Sequence, residues 1–176
     1  MNIISTKFKN LKILKINKFL DFRGILKKFY DKENHKIKFN ICEAYSTISQ
    51  KGSVRGLHGQ YGKYSQAKII YCIKGVIMYL GIDLRKKSKT YTKIYKKKIN
   101  AKDSEAIIVP KGFAHGLISL ENQSIVLNLN SSPYRPESEF GININSLNLK
   151  FPKIRFKITD KDKNLPSLNN FLKQKK

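Results

Sequence analysis

Lys68-Ile69-Ile70-Tyr71-Cys72-Ile73-Lys74-Gly75-Val76-Ile77-Met78-Tyr79-Leu80-Gly81-Ile82-Asp83 is two short apolar runs on either side of a Lys-Gly turn. Both runs are rich in β-branched and aromatic side chains, which pack well on a pleated sheet. Working outward, similar runs recur at 91–99, 106–109, 116–120 and 124–129. Between them stand turn signals: Arg85-Lys86-Lys87-Ser88, Pro110-Lys111-Gly112 and Glu121-Asn122. Short strands at a spacing of roughly eight to twelve residues predict an all-β sandwich or barrel. No stretch in the middle holds a helical period. The segment from Asp160 to Phe171 is polar and predicts a short helical or irregular tail, with one helix capped by Ser167. Residues beyond Lys173 are expected to fray. With no internal repeat and no linker, residues 1–176 read as a single domain.

Composition narrows the function classes. Apolar residues are 40% and charged residues 27% of the chain, enough to bury a core and fold. There is no run of about 18 apolar residues, so no membrane partner is expected. The N-terminus lacks an apolar stretch with a small-residue cleavage site, so a cytoplasmic protein is expected. Cys42 and Cys72 lack metal-ligand spacing and argue against a disulfide scaffold or a cysteine zinc site.

The net charge of +24 invites a nucleic-acid reading. Its make-up argues otherwise. The 36 basic residues are 31 Lys and only 5 Arg, and Lys, Asn and Ile together fill 69 of 176 positions. Those three have A/T-rich codons, so mutational drift enriches them together. Selection for phosphate binding would raise Arg as well and would leave Ile alone. The lysines are also scattered from Lys7 to Lys176, which reads as a solvated surface, and no nucleic-acid partner is expected. Four of the five arginines (Arg23, Arg55, Arg85 and Arg135) lie inside motif-like segments. A planar guanidinium fork retained against a Lys bias points to bidentate contacts that Lys cannot make.

Histidine is scarce. His35 sits in a charged stretch and reads as a surface residue. His58, in Arg55-Gly56-Leu57-His58-Gly59-Gln60, and His115, in Gly112-Phe113-Ala114-His115-Gly116, are each flanked by glycine, which allows close backbone approach. Each could be a base, a ligand or a satisfied core residue. With one His per segment and no carboxylate within five residues of His115, a closed metal shell is not expected, so no metal is assigned. Asp160 and Asp162 lie in the polar tail, where a carboxylate is normally solvated. One of them matters only if the tail folds back to meet His58, because a His–Asp pair makes a better base.

Several segments, taken together, resemble one family. They are Asp21-Phe22-Arg23-Gly24, Ser53-Val54-Arg55-Gly56-Leu57-His58, Gln66-Ala67-Lys68, Gly75 with 82–91, Pro110-Lys111-Gly112-Phe113-Ala114-His115-Gly116, Tyr134-Arg135-Pro136-Glu137-Ser138-Glu139 with Gly141-Ile142, and Thr159-Asp160-Lys161-Asp162. In order and spacing over residues 20–168 they resemble the dTDP-4-dehydrorhamnose 3,5-epimerases. That resemblance implies a cupin-type jelly-roll β-sandwich, a homodimer, no cofactor, and a nucleotide-diphospho-4-keto-6-deoxy sugar as substrate. The implied reaction is epimerisation at C3 and/or C5: a base removes a proton beside the ketone, an enolate forms, and a proton returns on the other face.

Position by position, the resemblance makes His58 the base and Asp162 its carboxylate partner. Lys68 stands beside the keto oxygen, where stabilising the enolate is usually the largest catalytic contribution. Arg55, His115 and Glu139 match substrate-contacting positions, and Arg23 one that holds the diphosphate. Departures stand beside these matches. The family's proton-donor Tyr is Asn128 here, and an amide cannot donate and regain a proton at neutral pH. Tyr134 is the candidate substitute. A family Gln is Glu43 and a neighbouring Asn is Tyr45. Glu43 would repel a diphosphate unless it faces the sugar or a lysine. Leu26 and Lys28 replace residues that read the nucleotide base, and Asn143-Ile144-Asn145 replaces an aromatic-Asn-Asp run. The alternative to an active epimerase is therefore a sugar-nucleotide-binding cupin with altered or no activity.

Overall fold

The computed structural model describes residues 2–31, 33 and 40–174; His35 lies outside them. Strands run in the order β1 (Asn2–Ser5), β2 (Lys12–Lys15), β3 (Lys18–Asp21), β4 (Gly24–Lys27), β5 (Glu43–Ser49), β6 (Val54–Gln60) and β7 (Lys68–Lys74). They continue with β8 (Val76–Asp83), β9 (Ile94–Asn100), β10 (Glu105–Val109), β11 (Phe113–Ser119), β12 (Ser124–Asn130) and β13 (Glu139–Gly141). Two short helices follow, α1 (Asp160–Lys163) and α2 (Leu168–Lys173). Among the described residues the strands form a six-stranded sheet, β1-β2-β10-β7-β12-β5, a five-stranded sheet, β13-β6-β11-β8-β9, and the separate hairpin β3-β4. The two larger sheets pack face to face as a jelly-roll β-sandwich, the expected all-β class.

The unbroken apolar run on β7 follows from burial on both faces, as expected for a strand with cover on each side. Ile70 and Cys72 point inward, into a core shared with Ile77 and Tyr79 of β8 and Val126 of β12. Ile69 and Tyr71 point outward, under Leu14, Ile16 and Ile108. The Tyr71 hydroxyl donates to the Phe29 carbonyl, so this outer cover is hydrogen-bonded as well as packed. On the outer face of the five-stranded sheet, Leu57, Leu80 and Ile118 are roofed by Ile142, Leu147 and Phe171. Strands β7 to β12 nearly match the expected runs, with two shifts: β11 starts at Phe113, three residues before the expected Gly116, and β9 starts three residues late. Tyr91 to Lys93 form a turn and β9 starts at Ile94.

The arginine signal resolves partly into structure. Arg85 forks onto Asp83, Nε at 2.8 Å and Nη2 at 2.7 Å, while Ser88 and Thr90 each donate to the same carboxylate at 2.6 Å. Asp83 is fully buried. Burial raises its pKa, but these donors overcome that and hold the carboxyl at about 2. The segment from Asp83 to Thr90 is thus a structural clamp at the foot of β8.

The tail does fold back. Lys157 pairs with Ser53 in a parallel bridge, and Val54 donates to its carbonyl at 3.0 Å. Thr159 caps α1 and Ser167 caps α2, each accepting a backbone N–H from the first turn. Two helices therefore stand where one was expected. Asn143 Nδ2 donates to the Lys163 carbonyl at 2.6 Å and fixes α1 against the barrel. Phe171 of α2 is buried next to Phe140, 5.3 Å between ring centroids, and anchors the end of the chain.

Candidate active site

The inward faces of the strands are apolar at one end of the sandwich and polar at the other. On β7 the inward positions pass from Cys72 through Ile70 to Lys68. On β12 they pass from Val126 to Asn128 and Asn130, both buried. At this polar end a cleft of about 90 Å³ opens between the sheets. Its five-stranded wall carries Arg55, His58, His115, Gly116 and Leu117, and its six-stranded wall Tyr45, Thr47, Lys68, Ile70 and Asn128. Larger hollows of about 560 and 580 Å³ lie beside Arg155 and Lys163 and beside Arg85 and Lys89, and no His–carboxylate pair lines either.

His58 is the centre of the polar contacts. Its Nε2 lies 2.7 Å from Asp162 Oδ1. Asp162, 6% exposed, is brought there by α1, and its second oxygen accepts the Gly56 N–H at 3.4 Å. An ionised carboxylate can only accept, so Nε2 carries the hydrogen, and the tautomer this selects for the neutral ring has its lone pair on Nδ1. Nδ1 faces Glu139 Oε1 at 3.8 Å. Glu139 is in turn held by Lys161 and by the Tyr134 hydroxyl, which donates to it at 3.3 Å. Strand β6 approaches β11 so closely here that a Cβ at Gly56, whose φ is +101°, would stand 2.7 Å from the His115 carbonyl.

His58 and His115 are directly opposite across β6 and β11. His115 stacks on Tyr79, 6.2 Å between centroids, and its Nε2 is buried with no hydrogen-bond partner among the described residues. Burial, reinforced by the charge of Lys68, holds His115 well below the usual histidine pKa, so it is neutral. Lys68 is pushed down to about 8 by burial, against the opposing pull of Glu43 and Glu139. It is therefore mostly cationic at neutral pH.

The remaining sequence-derived residues sort by distance from this cleft. Arg55 lines it, with Nε donating to Ser49 at 3.0 Å. Glu43 accepts from Asn130 Nδ2 at 2.6 Å, and its charge acts to raise the Lys68 pKa. Arg23 is elsewhere: it sits at the tip of the β3-β4 hairpin, forked on Asp21 at 2.7 Å. Tyr134 is 46% exposed and is absent from the cleft lining, because it stands on the loop after β12, where Gln60 fixes the backbone by accepting the Arg135 N–H at 2.7 Å. Sequence reading did not single out Tyr45 and Thr47 as cleft residues. The period of two from Glu43 along β5 was the available signal. No group of three or more His, Cys, Asp or Glu side chains placed to hold a metal ion occurs among the described residues.

Comparison with known proteins meets this geometry. A family model described as dTDP-4-dehydrorhamnose 3,5-epimerase matches residues 5–170. A dTDP-4-dehydrorhamnose 3,5-epimerase of Shigella flexneri is 30% identical over 173 residues, covering 93% of this chain and 94% of that protein. A crystal structure of the Bacillus anthracis enzyme of the same name, with TDP and PPi bound, superposes with a TM-score of 0.89 at 31% identity, over 95% of this chain and 99% of that one. A Legionella pneumophila 3,5-epimerase in complex with dTDP-4-keto-L-rhamnose gives 0.88 at 26% identity, over 96% and 93%. With the family model matched over nearly its whole length, the chain belongs to the dTDP-4-dehydrorhamnose 3,5-epimerase family.

Proposed function

We propose that this protein epimerises C3, C5 or both in a nucleotide-diphospho-4-keto-6-deoxyhexose, without a cofactor. The observation that carries the reading is the His58–Asp162 pair on one wall of a cleft whose other wall presents Lys68. His58 Nδ1 takes the proton from the carbon beside the ketone. The C–H electron pair becomes the enolate double bond, and the carbonyl pair moves onto oxygen. Lys68 donates a hydrogen bond and positive charge to that oxygen. Asp162 holds the imidazole tautomer and stabilises the imidazolium. His115, neutral and with a free buried nitrogen, hydrogen-bonds the sugar, and Arg55 contacts the substrate at the cleft wall. Glu43 and Glu139 hold polar groups around the sugar, facing Lys68 and His58.

A homodimer is part of the proposal. The β3-β4 hairpin exposes Phe19 at 55%, Leu20 at 78% and Phe22 at 99%, an apolar surface that a second copy of this chain would cover. Arg23, remote from its own cleft, would then serve the diphosphate from the partner's side. Residues 1–176 are proposed as one domain, and the site of action as the cytoplasm. No helix among the described residues is long and apolar enough to cross a membrane.

The reading is tested by NMR of thymidine, guanosine and cytidine diphosphate 4-keto-6-deoxyhexoses in D₂O with the protein. Deuterium entering C3 or C5 with appearance of the inverted sugar supports it. A second reading, a binder without turnover, is favoured by Asn128 in the cleft and predicts tight binding with no exchange.

A further inference from the structure

Inversion needs a proton acceptor and a proton donor on opposite faces of the sugar ring. The cleft walls come from opposite sheets, so the donor must stand across from His58, on the six-stranded wall. Three groups there carry exchangeable hydrogens besides the Asn128 amide: Lys68, Thr47 and Tyr45. Lys68 is committed to the enolate oxygen. A threonine hydroxyl is far too weak an acid, whereas a phenol is within range. His115 is on the same wall as His58 and directly opposite it in register, so it addresses the same face.

We propose that Tyr45 is the proton donor. Its position on β5 is the direct register partner of Asn128 on β12, and both residues line the cleft. Side chains directly opposite on paired strands have Cβ atoms about 5 Å apart, so Tyr45 offers a phenol beside the place where Asn128 offers only an amide. After His58 has taken the ring proton, the enolate carbon takes the Tyr45 phenolic proton on the opposite face, leaving a phenolate. Being 41% exposed, Tyr45 regains a proton from water, and His58 releases its own to water, so the cycle closes without oxidant or co-reactant. Partial burial and the charge of Glu43 raise the phenol's pKa, against the hydrogen bond of Asn130 and the charge of Arg55, and this keeps Tyr45 protonated before the reaction. Tyr134, with its hydroxyl donated to Glu139, is a holder of that carboxylate at the rim.

The inference rests on the epimerase reading, and one experiment separates the two. The thymidine diphosphate 4-keto-6-deoxyhexose is followed by NMR in D₂O with the parent and with Tyr45→Phe. In the variant His58 still removes and returns a proton on its own face. Deuterium therefore enters with retained configuration, while inverted product falls about 100-fold or more. Loss of a merely structural contact would slow exchange and inversion together. The variant Tyr45→Asn/Asn128→Tyr, which moves the phenol across the strand pair, is expected to recover at least tenfold of the inversion lost in Tyr45→Asn. An active parent whose Tyr45→Phe variant inverts at the parent rate overturns the donor assignment alone, as does loss of inversion in Tyr134→Phe but not in Tyr45→Phe. A parent with neither exchange nor inversion on any of the three nucleotide forms overturns the epimerase reading and this inference with it.

Discussion

Asp162 Oδ1 meets His58 Nε2 at 2.7 Å across 104 residues of chain, with the aspartate 6% exposed although it belongs to a polar tail. That contact exists because the tail pairs with the start of β6 and because Thr159 caps a single helical turn that aims the carboxylate inward. It orients the imidazole that the proposed reaction uses as its base.

Asp162→Asn keeps the shape of the side chain and removes its charge. Exchange at the reacting carbon is expected to slow by about 10²- to 10⁴-fold, because the amide no longer fixes the tautomer or stabilises the imidazolium. Thymidine diphosphate affinity, read by calorimetry, should change little. An unaltered exchange rate would remove Asp162 from the mechanism.

In the proposed reaction Lys68 sets the alkaline limb of activity. The enolate needs the ammonium form, so turnover should fall as pH rises through about 8. Its stability effect has the opposite sign. The folded pKa lies below the unfolded value, so burial of the charge destabilises the protein fully below about pH 8, and stability rises between there and about 10.5. Lys68→Met should abolish turnover while raising stability at pH 7 by about 1–3 kcal/mol, read by thermal melting. A variant both inactive and less stable would contradict this account.

Among the described residues His115 Nε2 is buried and unpaired, a cost carried until a ligand supplies the partner. His115→Phe should leave the melting temperature unchanged or higher and weaken affinity for the sugar nucleotide about tenfold or more. Equal affinity in the two proteins would show that the nitrogen does not touch substrate.

The Asp83 clamp is a stability element remote from the cleft. Its depressed pKa contributes about 2 kcal/mol that is present above pH 3.8 and lost as pH falls toward about 2. Asp83→Asn should cost about 2–3 kcal/mol at neutral pH and flatten the acid limb of denaturant-unfolding curves. An unchanged acid limb would assign that limb to other carboxylates.

How far sequence reaches is visible in particular residues. Strands β7, β8 and β12 are legible because their β-branched runs and turn residues encode them locally. Lys68 and His58 are legible as motif members. The His58–Asp162 contact follows from sequence only as a condition on where the tail goes, since the folding back depends on long-range pairing of Lys157 with Ser53. Arg85 carries a real signal, a fork that Lys could not replace, yet its partner is Asp83 and not a ligand. Tyr45 is visible in sequence as a departure without a role. Its meaning depends on cross-strand register with Asn128, which no local pattern specifies.

The central claim is that the His58 imidazole removes a carbon-bound proton. Solvent deuterium uptake at C3 and C5 of the thymidine diphosphate 4-keto-6-deoxyhexose, compared between the parent and His58→Ala, tests it most directly. The account predicts uptake in the parent and a loss of about 10²-fold or more in the variant, with the fold and nucleotide affinity retained. Uptake at the parent rate in His58→Ala would contradict it.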